Sequence, residues 1–245
     1  MNSGMYAALS GNVAAMRRMD IISNNLANAN TPGFKKDKMN FESMLSGTTD
    51  QPRVPDGVTA DPPLLKDNVY TDYSQGPVVR TGNTLDIAID GDGFFVVNTP
   101  AGQAYTRQGN FHIGPDGSLV TVDGFPVVGQ GGAIRVKGSN VDINSNGVVS
   151  VDGTNTGTLS VVDFPKPYSL NKEGGSLFTP VNPQVTPQPV KNIIRQGYLE
   201  GSNVQTITEM MLLIETNRYF ETCSKVIKGY DDMASKATGE LGRLA

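Results

Sequence analysis

Apolar residues near the start of the chain fall at Met5, Ala8, Ala15, Met19, Ile22, Leu26 and Ala29, in alternating steps of three and four broken only by the polar Asn12. That spacing keeps one stripe of a helix turned toward a partner, the heptad pattern of paired helices. Leu9, Val13 and Met16 widen the apolar face, so the pattern predicts a long helix over about Ser3 to Ala29 with more than one side covered. Near the other end Leu212, Thr216, Tyr219, Cys223, Val226, Tyr230, Met233 and Ala237 advance in the same steps. They predict a second helix, capped by Ser202 or Asn203 and running to about Lys236. Two such stripes at opposite ends predict terminal helices that pair with each other, in a coiled-coil-like layer, or with helices of neighbouring copies. Asn12, polar within its stripe, is placed to fix the register of that pairing.

The first helix runs into Asn24, Asn25, Asn28 and Asn30, whose side chains compete for backbone hydrogen bonds and favour helix ends. Pro32 stops it, and Pro32-Gly33 predicts a type II turn over Thr31 to Phe34. Between the helices the pattern changes to the strand period. Leu85-Asp86-Ile87-Ala88-Ile89 alternates, and Asp116-Gly117, Asp123-Gly124, Asn146-Gly147 and Asp152-Gly153 mark hairpins. The expected fold is mainly β, a central antiparallel all-β domain flanked by the terminal helices. The expected divisions are a helix and Asn-rich turn over 1–45, an extended loop over 46–83, the β-domain over 84–180, a Pro-rich linker over 181–199 and the last helix over 200–245.

Composition agrees with this division. Among 245 residues there are 28 glycines and 15 prolines, which argues for many turns, while 38% hydrophobic content is enough for a buried core. The net charge of −4 is spread evenly and shows no Lys/Arg cluster of the kind that binds nucleic acid. Residues 1–41 carry five basic side chains against two acidic ones. They read as a solvated helix face, with phosphate or lipid binding as the alternative. No apolar run is long enough to span a membrane, and the start has no secretory pattern, so direct membrane insertion is not expected. A single cysteine, Cys223, excludes an intramolecular disulfide and reads as a small apolar filler of its helix.

Candidate chemistry is sparse. The one histidine, His112, sits where strand alternation turns it away from Phe111 and Ile113, and with Cys223 remote it forms no dyad. Asp142-Ile143-Asn144-Ser145-Asn146-Gly147 matches the first half of a calcium loop, but Gly153 stands where a bidentate Glu is needed, and a hairpin explains the same residues. A wall-cleaving hydrolase would need a pair of carboxylates in a cleft, and the candidates Asp86 and Asp90 read simply as acidic residues near a turn. No Gly-x-Ser-x-Gly elbow or phosphate loop occurs, so neither catalysis nor a cofactor is expected.

The run Ile22-Ser23-Asn24-Asn25-Leu26-Ala27-Asn28-Ala29-Asn30-Thr31-Pro32-Gly33-Phe34-Lys35 resembles the N-terminal signature of bacterial flagellar rod and hook proteins. Gly201-Ser202-Asn203-Val204, Glu209-Met210 and Arg218-Tyr219-Phe220-Glu221 resemble that family's C-terminal block. Asp90-Gly91-Asp92-Gly93-Phe94-Phe95 and Tyr105 to Phe111 also fit it, so the resemblance covers almost the whole chain. Pro32 departs from the second Thr or Asn of many relatives. The opening Ser3 to Gly11, without the Trp usual in distal-rod members, looks more like the proximal-rod branch. The resemblance implies a structural subunit of the basal-body rod. It would work in the periplasm, be delivered by the flagellar type III export apparatus without a cleaved signal peptide, and be partnered by other rod proteins and copies of itself. It also implies that Asn25, Leu26, Asn28, Gly33, Phe34 and Lys35 serve as an assembly motif.

Overall fold

A computed structural model describes residues 2–42, 66–138, 140–174, 176–190 and 193–241. The elements in chain order are α1 (Asn2–Ala27), β1 (Asp37–Glu42), β2 (Lys66–Thr71), β3 (Val78–Arg80), β4 (Ile87–Asp90), β5 (Phe94–Thr99), β6 (Gly102–Thr106), β7 (His112–Ile113), β8 (Leu119–Val120), β9 (Val128–Gly129), β10 (Gly132–Ala133), β11 (Val141–Ile143), β12 (Val148–Val151), β13 (Thr154–Thr158), β14 (Val161–Asp163), β15 (Leu170–Lys172), β16 (Leu177–Pro180), β17 (Gln188–Pro189), β18 (Ile193–Gln196), β19 (Tyr198–Glu200) and α2 (Thr206–Leu241). The chain is thus mostly β, with antiparallel pairing throughout the described strands and a helix at each end.

These elements divide into two compact units. The first is drawn from Met1–Ala27, Asp37–Asp72 and Gln205–Ala245, the second from Asn28–Lys36 and Tyr73–Val204. In the first unit α1 packs on α2, and β1 pairs with β2 from Asp37↔Thr71 to Glu42↔Lys66. That hairpin is unforeseen, because Lys66 to Thr71 is rich in charged and polar residues and carries no turn signal. The first half of the expected 46–83 loop, residues 46–65, lies outside the described residues.

The second unit is built on a six-stranded sheet in the order β15-β16-β6-β5-β14-β17. Alternation along β5 sends Phe95 and Val97 to one apolar cluster with Ile87, Leu119, Val127 and Val149, and Phe94 and Val96 to another with Tyr105, Phe164 and Phe178. The second cluster is aromatic, with edge-on contacts at ring separations of 4.8 Å for Tyr105–Phe164 and 4.9 Å for Tyr73–Tyr168. The 181–199 stretch, read as a linker, contains strands. Gln188–Pro189 forms the sheet's edge strand, where proline's missing N–H costs no ladder bond, and β18 and β19 pair with β4 and β3.

Turn chemistry follows the sequence closely. Phe34 N donates to Thr31 O at 3.3 Å, and Gly33 takes φ +68°, as the Thr31–Phe34 turn requires. At the calcium-like segment Gly147 takes φ +80°, while Asn144 Oδ1 accepts from Asn146 N and Val148 N, both at 3.0 Å. The segment closes the β11–β12 hairpin. α1 ends two residues before the expected Ala29, because Asn28 O is taken by Thr31 N in the turn. α2 begins at Thr206, later than the expected caps, because Asn203 uses its side chain elsewhere.

Candidate assembly interface

The α1–α2 contact runs one residue beside the predicted stripe. Ala8, Ala15 and Ile22 are buried, and between them Gly4, Gly11 and the buried Asn25 take the places next to Met5, Asn12 and Leu26; Met5 is exposed, while Asn12, Met19 and Leu26 are half-buried at the margin of the contact. Gly4 faces Tyr230, and a Cβ at Gly11 would stand 2.9 Å from the Tyr219 hydroxyl and 3.2 Å from Cys223 Sγ. Glycine here allows close approach of the helices, a role that a count of apolar side chains passes over. On α2, Thr216 and Cys223 are buried and Leu212 and Tyr230 half-buried. Val226 and Met233 instead turn outward, 43% and 56% exposed, Tyr219 is 54% exposed but brings its hydroxyl to Gly11, and Phe220 and Ile227 are half-buried. The side chain of Ala237 lies outside the described residues.

Asn12 is half-buried and donates through Nδ2 to Ser224 Oγ on α2 at 3.1 Å. Tyr219 shares a hydrogen bond with Cys223, which together with burial lifts its hydroxyl above the ordinary tyrosine pKa. Beside this contact lies a groove of about 330 Å³ lined by Gly11, Ala14, Ala15, Arg18, Glu215 and Thr216. Large apolar side chains remain uncovered on both helices. On α1, Tyr6, Leu9, Val13 and Met16 follow steps of three and four, and on α2 Ile207, Met211 and Ile214 do the same. A helix that is apolar on two sides has its second side available to another helix.

The motif residues divide between the two units. Asn25 lies in the first, where its amide spans the backbone of Asp37. Nδ2 donates to Asp37 O at 2.9 Å, Asp37 N donates to Oδ1 at 3.0 Å, and Nδ2 also reaches the buried Glu209 at 3.4 Å. Asp37 in turn accepts from Thr71 Oγ1 at 2.7 Å, so Asn25 fastens the β1–β2 hairpin to α1. Lys38 pairs with Asp72, and that hydrogen bond raises its pKa. Leu26 is half-buried.

Asn28, Gly33, Phe34 and Lys35 belong to the second unit. Asn28 accepts from Thr31 through both its backbone and its side chain. A Cβ on Gly33 would collide with the backbone of Arg107 and Gln108, and Gly33 N donates to Glu200 O at 2.8 Å. Phe34 is buried beneath the Lys172 ammonium, 4.0 Å from its ring centre. Lys35, read as part of a solvated basic face, is 0% exposed. Its ammonium donates to Glu200 Oε1 at 2.5 Å and Ser74 O at 2.8 Å, while Arg107 donates to Glu200 Oε2 at 3.1 Å. Gly76 N donates to Glu200 at 3.0 Å, and Arg107 also reaches Gly91 O at 2.7 Å. Glu200 and Arg107, 1% and 4% exposed, have no assigned role in the sequence reading. The one available signal is alternation in β19, which puts Glu200 on the face of Tyr198.

The candidate catalytic groups are engaged elsewhere. Asp86 accepts from Asn83 Nδ2 at 3.0 Å, and Asp90 pairs with Arg195 at 2.5 Å. His112 is exposed as expected, whereas Ile113 is exposed too, since the two-residue β7 is too short to sort its faces. Among the described residues no three His, Cys, Asp or Glu side chains are grouped to hold a metal, and no helix is long and apolar enough to cross a membrane.

Comparison with known proteins assigns the whole chain. Residues 5–35 match the family of flagella basal body rod proteins, residues 88–151 the D1 domain of flagellar hook protein FlgE/F/G, and residues 195–240 the C-terminal part of flagellar basal body rod FlgEFG proteins. The flagellar basal-body rod protein FlgF of Caulobacter vibrioides is 34% identical over 248 residues, covering 100% of both chains. FlgF of Mesorhizobium japonicum is 32% identical over 99% of both, and the rod protein FlgG of Agrobacterium fabrum is 33% identical over 96% of this chain and 97% of its own. The chain therefore belongs to the flagellar basal-body rod protein family and is a structural subunit of that rod.

Proposed function

We propose that this chain is a proximal-rod subunit whose first unit is the assembly domain, and that the apolar stripes left open on α1 and α2 are the surfaces that meet neighbouring rod proteins and further copies of the chain. The carrying observation is the placement of Tyr6, Leu9, Val13 and Met16, a helical ridge of large apolar side chains beside a helix contact already satisfied by Ala8, Gly11, Ala15 and Ile22. Asn12 fixes the register of α1 on α2 through Ser224. Proximal placement is supported by the end-to-end match to relatives named FlgF and by the opening residues without Trp. On this reading the subunit acts by structure and not by catalysis. It stands in the periplasmic length of the rod and arrives through the flagellar export apparatus, as the family resemblance implies.

Replacing Leu9 and Val13 together by Asp tests the interface. The purified chain should keep its stability within about 0.5 kcal/mol per site, since neither side chain is buried. Incorporation into basal bodies and motility should be lost. Normal incorporation of the variant would remove the stripe from the interface. Imaging a tagged chain in isolated basal bodies separates proximal from distal placement.

A further inference from the structure

Within the second unit, residues 31–36 touch Ser74, Arg107, Gln108 and Lys172, and make four hydrogen bonds to the segment that leads into α2. Gly33 N donates to Glu200 O, Lys35 Nζ to the Glu200 carboxylate, Lys36 N to Asn203 Oδ1 at 2.7 Å, and Asn203 N to Phe34 O at 3.3 Å. Four contacts in six residues tie a segment from the first seventh of the chain to one made near its end. Glu200 is the only carboxylate of the buried trio with Lys35 and Arg107, and a buried cation facing an uncharged partner is strongly disfavoured. Until Tyr198–Asn203 is in place the strap Thr31–Lys36 therefore lacks these four bonds, and seating it would bury Lys35 without the Glu200 carboxylate.

We propose that this buried charge cluster makes seating of the strap conditional on Glu200, so that the second unit closes at this seam only when both ends of its chain are present. An unfinished chain, with residue 35 made long before residue 200, stays open here while β5 and β6 already hold the core. The inference goes beyond the rod function and does not depend on how the subunit docks.

Native-state hydrogen exchange on the full chain reads it directly. The amides of Gly33, Lys36 and Asn203 should open together, at lower free energy than Val96, Val97 and Tyr105. In Glu200→Gln the Gly33 and Lys36 amides should exchange on the order of a hundredfold faster, and trypsin should cut after Lys35 and Lys36, while β5 and β6 keep their protection. Lys35→Met leaves Arg107 and Glu200 paired, so its effect should be about tenfold or less. Independent opening of Gly33 and Asn203 in the unaltered chain overturns the proposal. So does unchanged protection in Glu200→Gln, or loss of strap and core together, including outright failure to fold. An equal effect of Lys35→Met would make the seam steric and overturn its dependence on charge.

Discussion

Asn25 shows what a single motif residue does in this chain. Its amide replaces two backbone partners for Asp37, donating to the carbonyl and accepting from the N–H, so the hairpin leaves α1 without orphaned polar groups. Asn25→Ala removes one hydrogen bond each from Asp37 N, Asp37 O and the buried Glu209, and should cost about 1–3 kcal/mol in denaturant unfolding followed by helical circular dichroism. Asn25→Asp should cost more, since it loses the donor to Asp37 O and sets a second carboxylate beside Glu209. Equal stability of both variants with the parent would show that the clamp is idle. The motif was visible in the sequence as a run of asparagines at a helix end, but its function was not. An Asn that bonds a residue 12 positions away and a Glu 184 positions away carries no local signature. Lys35, Arg107 and Glu200 were illegible for the same reason, since each has the composition of a surface residue and only the fold brings the three together.

At the scale of elements, both helices and the central hairpins were legible because they are written in short-range chemistry, the three-four stripe and the Asn-Gly and Asp-Gly turns. The strands of 66–71 and 188–200 were not, because their pairing partners supply what their own alternation lacks. The offset of the helix contact has a single cause. A stripe of large apolar residues passes over glycine, whereas Gly4 and Gly11 lie in the contact, the tip of Tyr219 reaches Gly11, and Val226 and Met233 stay outside it. Gly11 puts that assignment to a quantitative test. An alanine gains about 1 kcal/mol of helix propensity but sets its Cβ 2.9 Å from the Tyr219 hydroxyl, so Gly11→Ala alone should lie near neutral. With Tyr219→Phe, which removes the nearer obstruction and leaves Cys223 Sγ at 3.2 Å, the same alanine should become stabilising, by at most about 1 kcal/mol in chemical denaturation. Strict additivity of the two changes would place Gly11 away from the contact.

At the scale of the molecule, the boundary that matters lies between residues 27 and 28, not at the end of the Asn-rich turn. Residues 28–36 pack within the second unit, so a cut after Ala27 removes α1 alone, while a cut after Lys36 also removes Gly33, Phe34 and Lys35 from a folded core. Shortening the chain to 28–204 should therefore leave the aromatic cluster of Tyr73, Phe94, Tyr168 and Phe178 intact, with its near-ultraviolet dichroism and a cooperative melt retained. Shortening it further to 37–204 leaves Arg107 and Glu200 paired but opens the space that Phe34 and the Lys35 stem fill. The expected loss is about 3–5 kcal/mol, the range for removing a buried aromatic side chain. Neither shortened chain should enter the basal body, because both lack α1 and α2. The comparison of 28–204 with 37–204 isolates the nine residues between the cuts. If the two melt alike, the strap contributes nothing to the second unit, and the division of the chain belongs after Lys36.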